Sequence, residues 1–572
     1  MYLRDILRPV VGRLRNLLNN SPQFAKRQRS DLRFALGVTL CALNNEERND
    51  AELRDAVSLL RSSLEDIDRA REPLAWANAQ HYLGLALMLL GREAPDPEPL
   101  VNAVSAFRAA LDERTRDRVP LEWAKTQNAL GSALSMLGSR NTQLEKLDEE
   151  ALIAFDSALT ERTLACTPIE RASTMNNRGV SVLSFAERAV GTTRIEDAIA
   201  SFRNALQGVT PKAAPILWGG INQNLGLALF VLAERRPESG ALDEALLAFR
   251  SSLSEWTRER VPRLWVMLQI NIGRTLTRLG EVETGTDNLK EAEETFHSAL
   301  EVCTRESNSL SWATIYAALG VTLTRVAERE LVVQGPLQSQ IIRNIDTQQP
   351  TDWVTRQQEL TLGLNRIQQR ENGLSHLEEA ITAFRNSLEE LPRDRLPLHW
   401  ANTQHDFSTA LARFGEQEDG TEYLLQALSA VNSALEVWTY EDFPFFWALG
   451  QNTLGWILIR LGERETDTSI LRLESAVGAC RKSLQVQTRD ALPFQWALTQ
   501  NTLAIAHYRL GQACMDIVHF NEAATAFSSA LDVWRALSAD NYIESVGNNL
   551  RNVQVLMQSY SNSTGEEANL TP

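Results

Sequence analysis

Tryptophan recurs along this chain at a nearly fixed interval. Nine of the 13 tryptophans head the phrase W-A-x-x-Q-x-x-L-G or a close variant: Trp76, Trp123, Trp218, Trp265, Trp312, Trp353, Trp400, Trp447 and Trp496. Arg171 occupies the same register between the second and third, and Arg29 and Ile543 extend it at the two ends. Most anchors lie 47 residues apart; the step from Trp312 to Trp353 is six residues short. A unit of this size buries its apolar face only against its neighbours, so such repeats stack into one continuous core. The 572 residues therefore read as one solenoid, not as the roughly four independent domains that length alone suggests.

Each unit reads as two helices. Counting the anchor as zero, proline stands at −3, as in Pro73, Pro120, Pro168, Pro215, Pro262, Pro397, Pro444 and Pro493. Proline is tolerated at the first helical position, where its missing N–H has no intrahelical partner to lose. Glycine stands at +15 in Gly91, Gly138, Gly280, Gly415, Gly462 and Gly511, where it is expected to form a left-handed helix end. The second helix carries A-x-x-x-F-x-x-A, as in Ala103, Phe107 and Ala110, a spacing that places all three on one face. The basic T-R-x-R turns Arg114/Arg116, Arg258/Arg260 and Arg393/Arg395 read as capping charges near second-helix ends.

These features resemble the tetratricopeptide repeat, whose usual period is 34. The Leu-Gly pair of its first helix is present at +7/+8, as in Leu83-Gly84, Leu130-Gly131, Leu225-Gly226 and Leu454-Gly455, and the Ala–Phe–Ala spacing of its second helix is kept. The extra length falls at helix ends and connections, so the chain is similar to a long-period, bacterial-type variant of the family. The resemblance implies an all-α, right-handed α-solenoid of about eleven helix pairs, whose first helices line a concave groove that holds peptide segments. It also implies a bacterial setting in which such modules are joined to protease or nucleotide-binding signalling domains, with an effector acting in trans here.

The regularity divides the chain. Residues 1–28 include a basic amphipathic segment with Leu3, Ile6, Leu7, Val10, Leu14, Leu17 and Leu18 against Arg4, Arg8, Arg13 and Arg15, read first as a cap on the solenoid and otherwise as a dimer or membrane contact. Residues 29–330 form the N-terminal half of the solenoid and 351–558 the C-terminal half. Between them, 331–350 lack the Ala–Phe pattern and contain Gly335 and Pro336; they read as a degenerate, shortened repeat, or alternatively as a hinge. The polar tail 559–572 is expected to be disordered.

Composition narrows the chemistry. The formal net charge is −16, which argues against general nucleic-acid binding. Five scattered cysteines fit a reducing compartment and the cytoplasm. Arg4, Asp5 and Arg8 stand where a secretory signal needs an apolar core. The histidines and cysteines form no metal-ligand spacing, and no P-loop, G-x-G-x-x-G or G-x-S-x-G is present. The expectation is a non-enzyme without cofactor or metal, and without a nucleic-acid or membrane partner.

That leaves surfaces. Position +5 is rich in amides, among them Asn128, Asn176, Gln223, Asn452 and Asn501; an amide donates and accepts, so it can bond a peptide backbone or form a ladder between repeats. Position +13 is arginine in the later units: Arg278, Arg325, Arg366, Arg413, Arg460 and Arg509. A column of guanidiniums would draw an acidic or phosphorylated segment. Two plainer readings stand beside it: arginine near a helix C-terminus favours the dipole, and Glu281, Glu328, Glu416 and Glu463, three residues on, offer neutralisation. Trp456 and Tyr508 are candidate aromatic anchors. The expected function is a non-catalytic scaffold for a partner polypeptide; the alternative is a ligand- or peptide-responsive sensor controlling an effector enzyme in trans.

Overall fold

The structure is a computed structural model. It describes residues 2–567 apart from 21–24, 47–48, 93, 95, 141–144, 187–190, 237–239, 283–284, 333–352 and 538. Twenty-two helices and no strand are found among the described residues.

Two compact units are present. Unit 1 comprises Met1–Glu187, Thr193–Ala228 and Ser254–Arg260; unit 2 comprises Arg188–Thr192, Leu229–Leu253 and Val261–Pro572. Unit 1 holds α1 (Tyr2–Asn20) and the pairs α2 (Lys26–Glu46)/α3 (Asp50–Asp66), α4 (Pro73–Gly91)/α5 (Glu98–Glu113), α6 (Pro120–Gly138)/α7 (Glu145–Glu161) and α8 (Pro168–Ala186)/α9 (Thr193–Leu206). The boundary runs through α10 (Pro215–Arg235). Unit 2 continues with α11 (Ala241–Leu253), then α12 (Pro262–Val282)/α13 (Asp287–Leu300), α14 (Ser309–Val332)/α15 (Trp353–Glu390), α16 (Pro397–Gln417)/α17 (Glu422–Leu435), α18 (Pro444–Gly462)/α19 (Ser469–Ser483), α20 (Pro493–Cys514)/α21 (Ile517–Ala536) and α22 (Asp540–Glu567).

Close approach at glycine holds each pair. A Cβ on Gly84 would fall 2.6 Å from the Phe107 ring, and Gly179 meets Phe202, Gly273 meets Phe296 and Gly320 meets Phe384 in the same way. Those rings are wholly buried. At Gly455 the facing residue is Cys480; burial pushes its thiol up to about 12, so Cys480 is a core residue and not a nucleophile. The +15 glycines serve a similar end. They are not left-handed: among the described glycines only Gly191 and Gly240 have positive φ. Instead a Cβ on Gly91, Gly280 or Gly415 would meet Leu100, Leu289 or Leu424 at the start of the second helix. Glycine is there for packing across the pair, and the expectation of a left-handed end is corrected.

The helix total is that of eleven pairs, with a different apportionment at the short unit. Phe384 and Gly373 of α15 meet Gly320 and Leu331 of α14 in the antiparallel register of every other pair. Trp312 and Trp353 therefore share one helix pair, and the sequence between α14 and Gly373 is an insertion within that repeat. Most of the proposed 331–350 segment lies outside the described residues. The tail also differs from expectation, since α22 continues helically to Glu567.

Helix α1 packs on α2. Val11 is buried, and Leu7, Leu14 and Leu18 pack on the core of the first repeats; Arg8 pairs with Glu52 at 2.8 Å and Arg15 with Asp55 at 3.1 Å. Helix α10 is long and apolar enough to cross a membrane, but most of it is buried within the protein, as in a core helix.

Candidate functional site

Within each unit, successive first helices touch: α2, α4, α6 and α8 in unit 1, and α12, α14, α16, α18 and α20 in unit 2. Successive second helices make no comparable contact among the described residues. Closer spacing in one layer bends each stack, with the first helices on the inner side. Both candidate rows, +5 and +13, lie on these helices.

The +13 row is an alternating ribbon of charge in unit 2. Arg and Glu three apart share one helix face, so Arg278 meets Glu281 at 2.6 Å, Arg325 meets Glu328 at 2.9 Å, Arg413 meets Glu416 at 3.1 Å and Arg460 meets Glu463 at 2.9 Å. Each guanidinium also reaches the previous first helix. Arg278 approaches Glu234 at 3.6 Å, Arg325 bonds Glu281, Arg413 bonds Glu328 at 2.5 Å, and Arg460 and Arg509 form ion pairs with Glu416 at 2.5 Å and Glu463 at 2.6 Å. Five arginines thus alternate with five glutamates. Burial pushes the Glu281 carboxyl up, but the flanking guanidiniums of Arg278 and Arg325 outweigh it and hold the group at about 2. Glu328 is lowered for the same reason by Arg325 and Arg413. A neutral ribbon is not the positive column that would draw an acidic or phosphorylated segment, and that expectation is corrected. The side chain of Arg366 lies outside the described residues. Trp456 is occupied too: the guanidinium of Arg413 lies 4.4 Å from its ring centre and that of Arg460 6.0 Å. Tyr508 carries Arg509 at 5.5 Å.

The +5 row divides. In unit 1 it is an inter-repeat ladder: Asn177 donates to Asn128 at 3.2 Å and Asn224 to Asn176 at 2.9 Å. The rule joins +5 of one repeat to +6 of the next, and His405 with Thr453 at 2.9 Å obeys it in unit 2. Gln223 is buried. Asn452 and Asn501 differ, for the amide oxygen of each is shielded from solvent with no hydrogen-bond partner, as is that of Gln451. For Asn452 the cause is local. The +6 residue of the next repeat is Thr502, whose hydroxyl donates to the Leu498 carbonyl at 3.2 Å.

Other recurring contacts escape a first reading of the sequence. The arginine seven before an anchor stacks on that tryptophan: Arg69 on Trp76 at 4.3 Å, Arg393 on Trp400 at 4.8 Å, and likewise Arg116, Arg305 and Arg489 on Trp123, Trp312 and Trp496. Tyr440 takes this place at Trp447. Four of these arginines, Arg69, Arg116, Arg305 and Arg393, also pair with the next repeat's second helix, as Arg69 with Glu113 at 2.8 Å and Arg116 with Glu161 at 2.6 Å. They join repeats instead of capping helices. Arg114 is instead buried, bonded to Thr126 at 2.7 Å and to Asn78, with Glu122 at 3.2 Å. At +17, Arg140, Arg329 and Arg464 donate to carbonyls where the previous first helix ends. The signal for each was its fixed offset from the tryptophan. No group of three or more metal-ligating side chains occurs among the described residues.

No family model matches this chain, and no curated protein does. Solved structures do. A monomeric mutant of IFIT1 with m7Gppp-AAAA aligns over 95% of each chain at 14% identity and a TM-score of 0.43. The human IFIT1 dimer with m7Gppp-AAAA aligns over 96% of this chain and 94% of its own, at 12% identity and a TM-score of 0.40. The APC/C hetero-tetramer Cut9-Hcn1 aligns over 96% of both, at 11% identity and a TM-score of 0.29. These are likenesses between helical repeat arrays, and at such scores they carry no argument about a ligand. The class of protein stands on its own packing, an array of tetratricopeptide-like helix pairs.

Proposed function

We propose that this chain is a non-catalytic scaffold that holds an extended polypeptide against the first helices of unit 2. One observation carries the reading: the unpartnered amide oxygens of Asn452 and Asn501 at the repeat position whose equivalents in unit 1 are satisfied. An acceptor shielded from water without a donor costs about 1–3 kcal/mol. Rotation of either half-exposed carboxamide toward a backbone N–H brought by a partner removes that cost. Backbone bonding is indifferent to side-chain sequence, and the neutral ribbon beside it selects neither acidic nor basic segments. Five free thiols suit action in the cytoplasm.

An array of synthetic peptides graded in charge, probed with the full chain and with Asn452→Ala/Asn501→Ala, tests this. Binding to uncharged extended peptides, weakened in the double variant, is the expected result. Binding confined to phosphopeptides, or to RNA oligomers included as a control, overturns it.

A further inference from the structure

In unit 2 the wall of first helices meets itself. The Gln495 side-chain amide donates to the Glu234 carbonyl at 2.8 Å, across 261 positions of sequence. The Arg235 guanidinium lies 5.3 Å from the ring centre of Phe445 and donates to the Gly191 carbonyl at 2.5 Å. Glu234 and Arg235 end α10, whereas Phe445 and Gln495 lie in the first turns of α18 and α20. Arg235, Phe445 and Gln495 are 4%, 6% and 6% exposed, so the junction is closed to water.

The relation recurs further along the wall. Tyr542 lies in the first turn of α22. Partial burial, and then the carboxylate of Glu281 at the end of α12, push its hydroxyl above the usual range; Arg325, Glu328 and Arg329, near the end of α14, act on it as well. In both places the C-terminal end of a first helix faces the start of the first helices four and five repeats later, α10 against α18 and α20, and α12 and α14 against α22. The small rotation from each repeat to the next thus brings the wall back onto its own edge. The ends of α10, α12 and α14 form one rim, and the starts of α18, α20 and α22 stand along it.

A groove whose rims touch has no open side. Reaching Asn452 and Asn501 from the flank means parting this junction. That strips a buried guanidinium of its ring and takes the Gln495 donor from the Glu234 carbonyl, and buried polar groups left without partners are costly. Entry along the axis breaks none of these contacts.

We infer that unit 2 takes its polypeptide end first, so that it accepts a segment with a free terminus and rejects the same segment held between folded domains. The inference rests on the scaffold reading above and narrows its partner to a chain end or tail.

The full chain is titrated with one neutral extended peptide from the array in three forms: free, joined at one end to a small folded domain through a long flexible linker, and joined so at both ends. Fluorescence anisotropy at equilibrium reads the binding. The free and one-ended forms are expected to bind alike, and the two-ended form at least about tenfold more weakly, or about 1.4 kcal/mol. Phe445→Ala/Gln495→Ala, which loosens the junction, should restore binding of the two-ended form. Equal binding of all three forms to the wild type shows entry from the side and overturns the inference, as does a variant with wild-type circular dichroism that still rejects the two-ended form. A free peptide that does not bind at all sinks the scaffold reading, and this inference with it, so the two failures are told apart.

Discussion

Arg413 and Glu328 stand 85 residues apart in sequence and 2.5 Å apart in space. Every other link of the ribbon spans about one repeat, so this ion pair shows that α14 and α16 are consecutive first helices. In sequence terms, the residues between α14 and Gly373 are an insertion within one repeat.

Replacing residues 334–371 by a short Gly-Ser linker should therefore leave the array intact. Loop closure depends only weakly on loop length, so the shortened chain is expected to melt cooperatively at the parent temperature, followed by circular dichroism. Loss of helix beyond the deleted residues would show instead that the insertion holds the two halves together.

The ribbon fixes an acid limb of stability. Glu281 is held at about 2 against an ordinary value of 4.5. A carboxyl depressed on folding stabilises the fold above its unfolded value and loses that contribution as pH falls toward its folded one. The ribbon's contribution is thus full at neutral pH and drains away from about 4.5 down to about 2. Melting temperature measured against pH should fall across that window, and Glu281→Gln should lower the neutral plateau and flatten the fall. A variant with the parent's acid limb would contradict this.

Glycine to alanine should act with opposite sign at two helical positions. A Cβ on Gly84 meets the Phe107 ring at 2.6 Å, and overpacking of this kind costs about 1–3 kcal/mol. Gly478, in α19, has nothing within 4 Å of its Cβ position, so alanine there should stabilise by about 0.4–1 kcal/mol. Urea denaturation distinguishes them.

Arg114→Ala should be among the more damaging single changes in unit 1. It removes a buried guanidinium that bonds Thr126 and Asn78, and although Thr126 keeps its bond to the Glu122 carbonyl at 2.9 Å, Asn78 loses this donor; breaking such a buried network costs about 3 kcal/mol. Chemical denaturation measures the loss, and a change below about 1 kcal/mol would mean that water replaces the arginine.

The helix pairs were legible because their signals are local. Pro120 opens α6, and the Gly84–Phe107 spacing states the packing outright. The errors arose where one residue type serves two purposes. Glycine at Gly91 looks the same whether it turns the chain or admits Leu100. Trp353 heads a familiar phrase without heading a new helix pair. The arginines looked like free cations because half of each one's partners come from the previous repeat, as Glu328 does for Arg413. Asn128 and Asn452 are indistinguishable in sequence, since what separates them is the donor that the next repeat supplies.

The most direct test is the affinity of a neutral, array-selected peptide measured calorimetrically at rising salt. The proposal predicts an affinity insensitive to salt and to Arg413→Gln, and reduced about tenfold, or ~1.4 kcal/mol, in Asn452→Ala/Asn501→Ala. An affinity that falls steeply with salt, follows the peptide's negative charge and disappears in Arg413→Gln would contradict it.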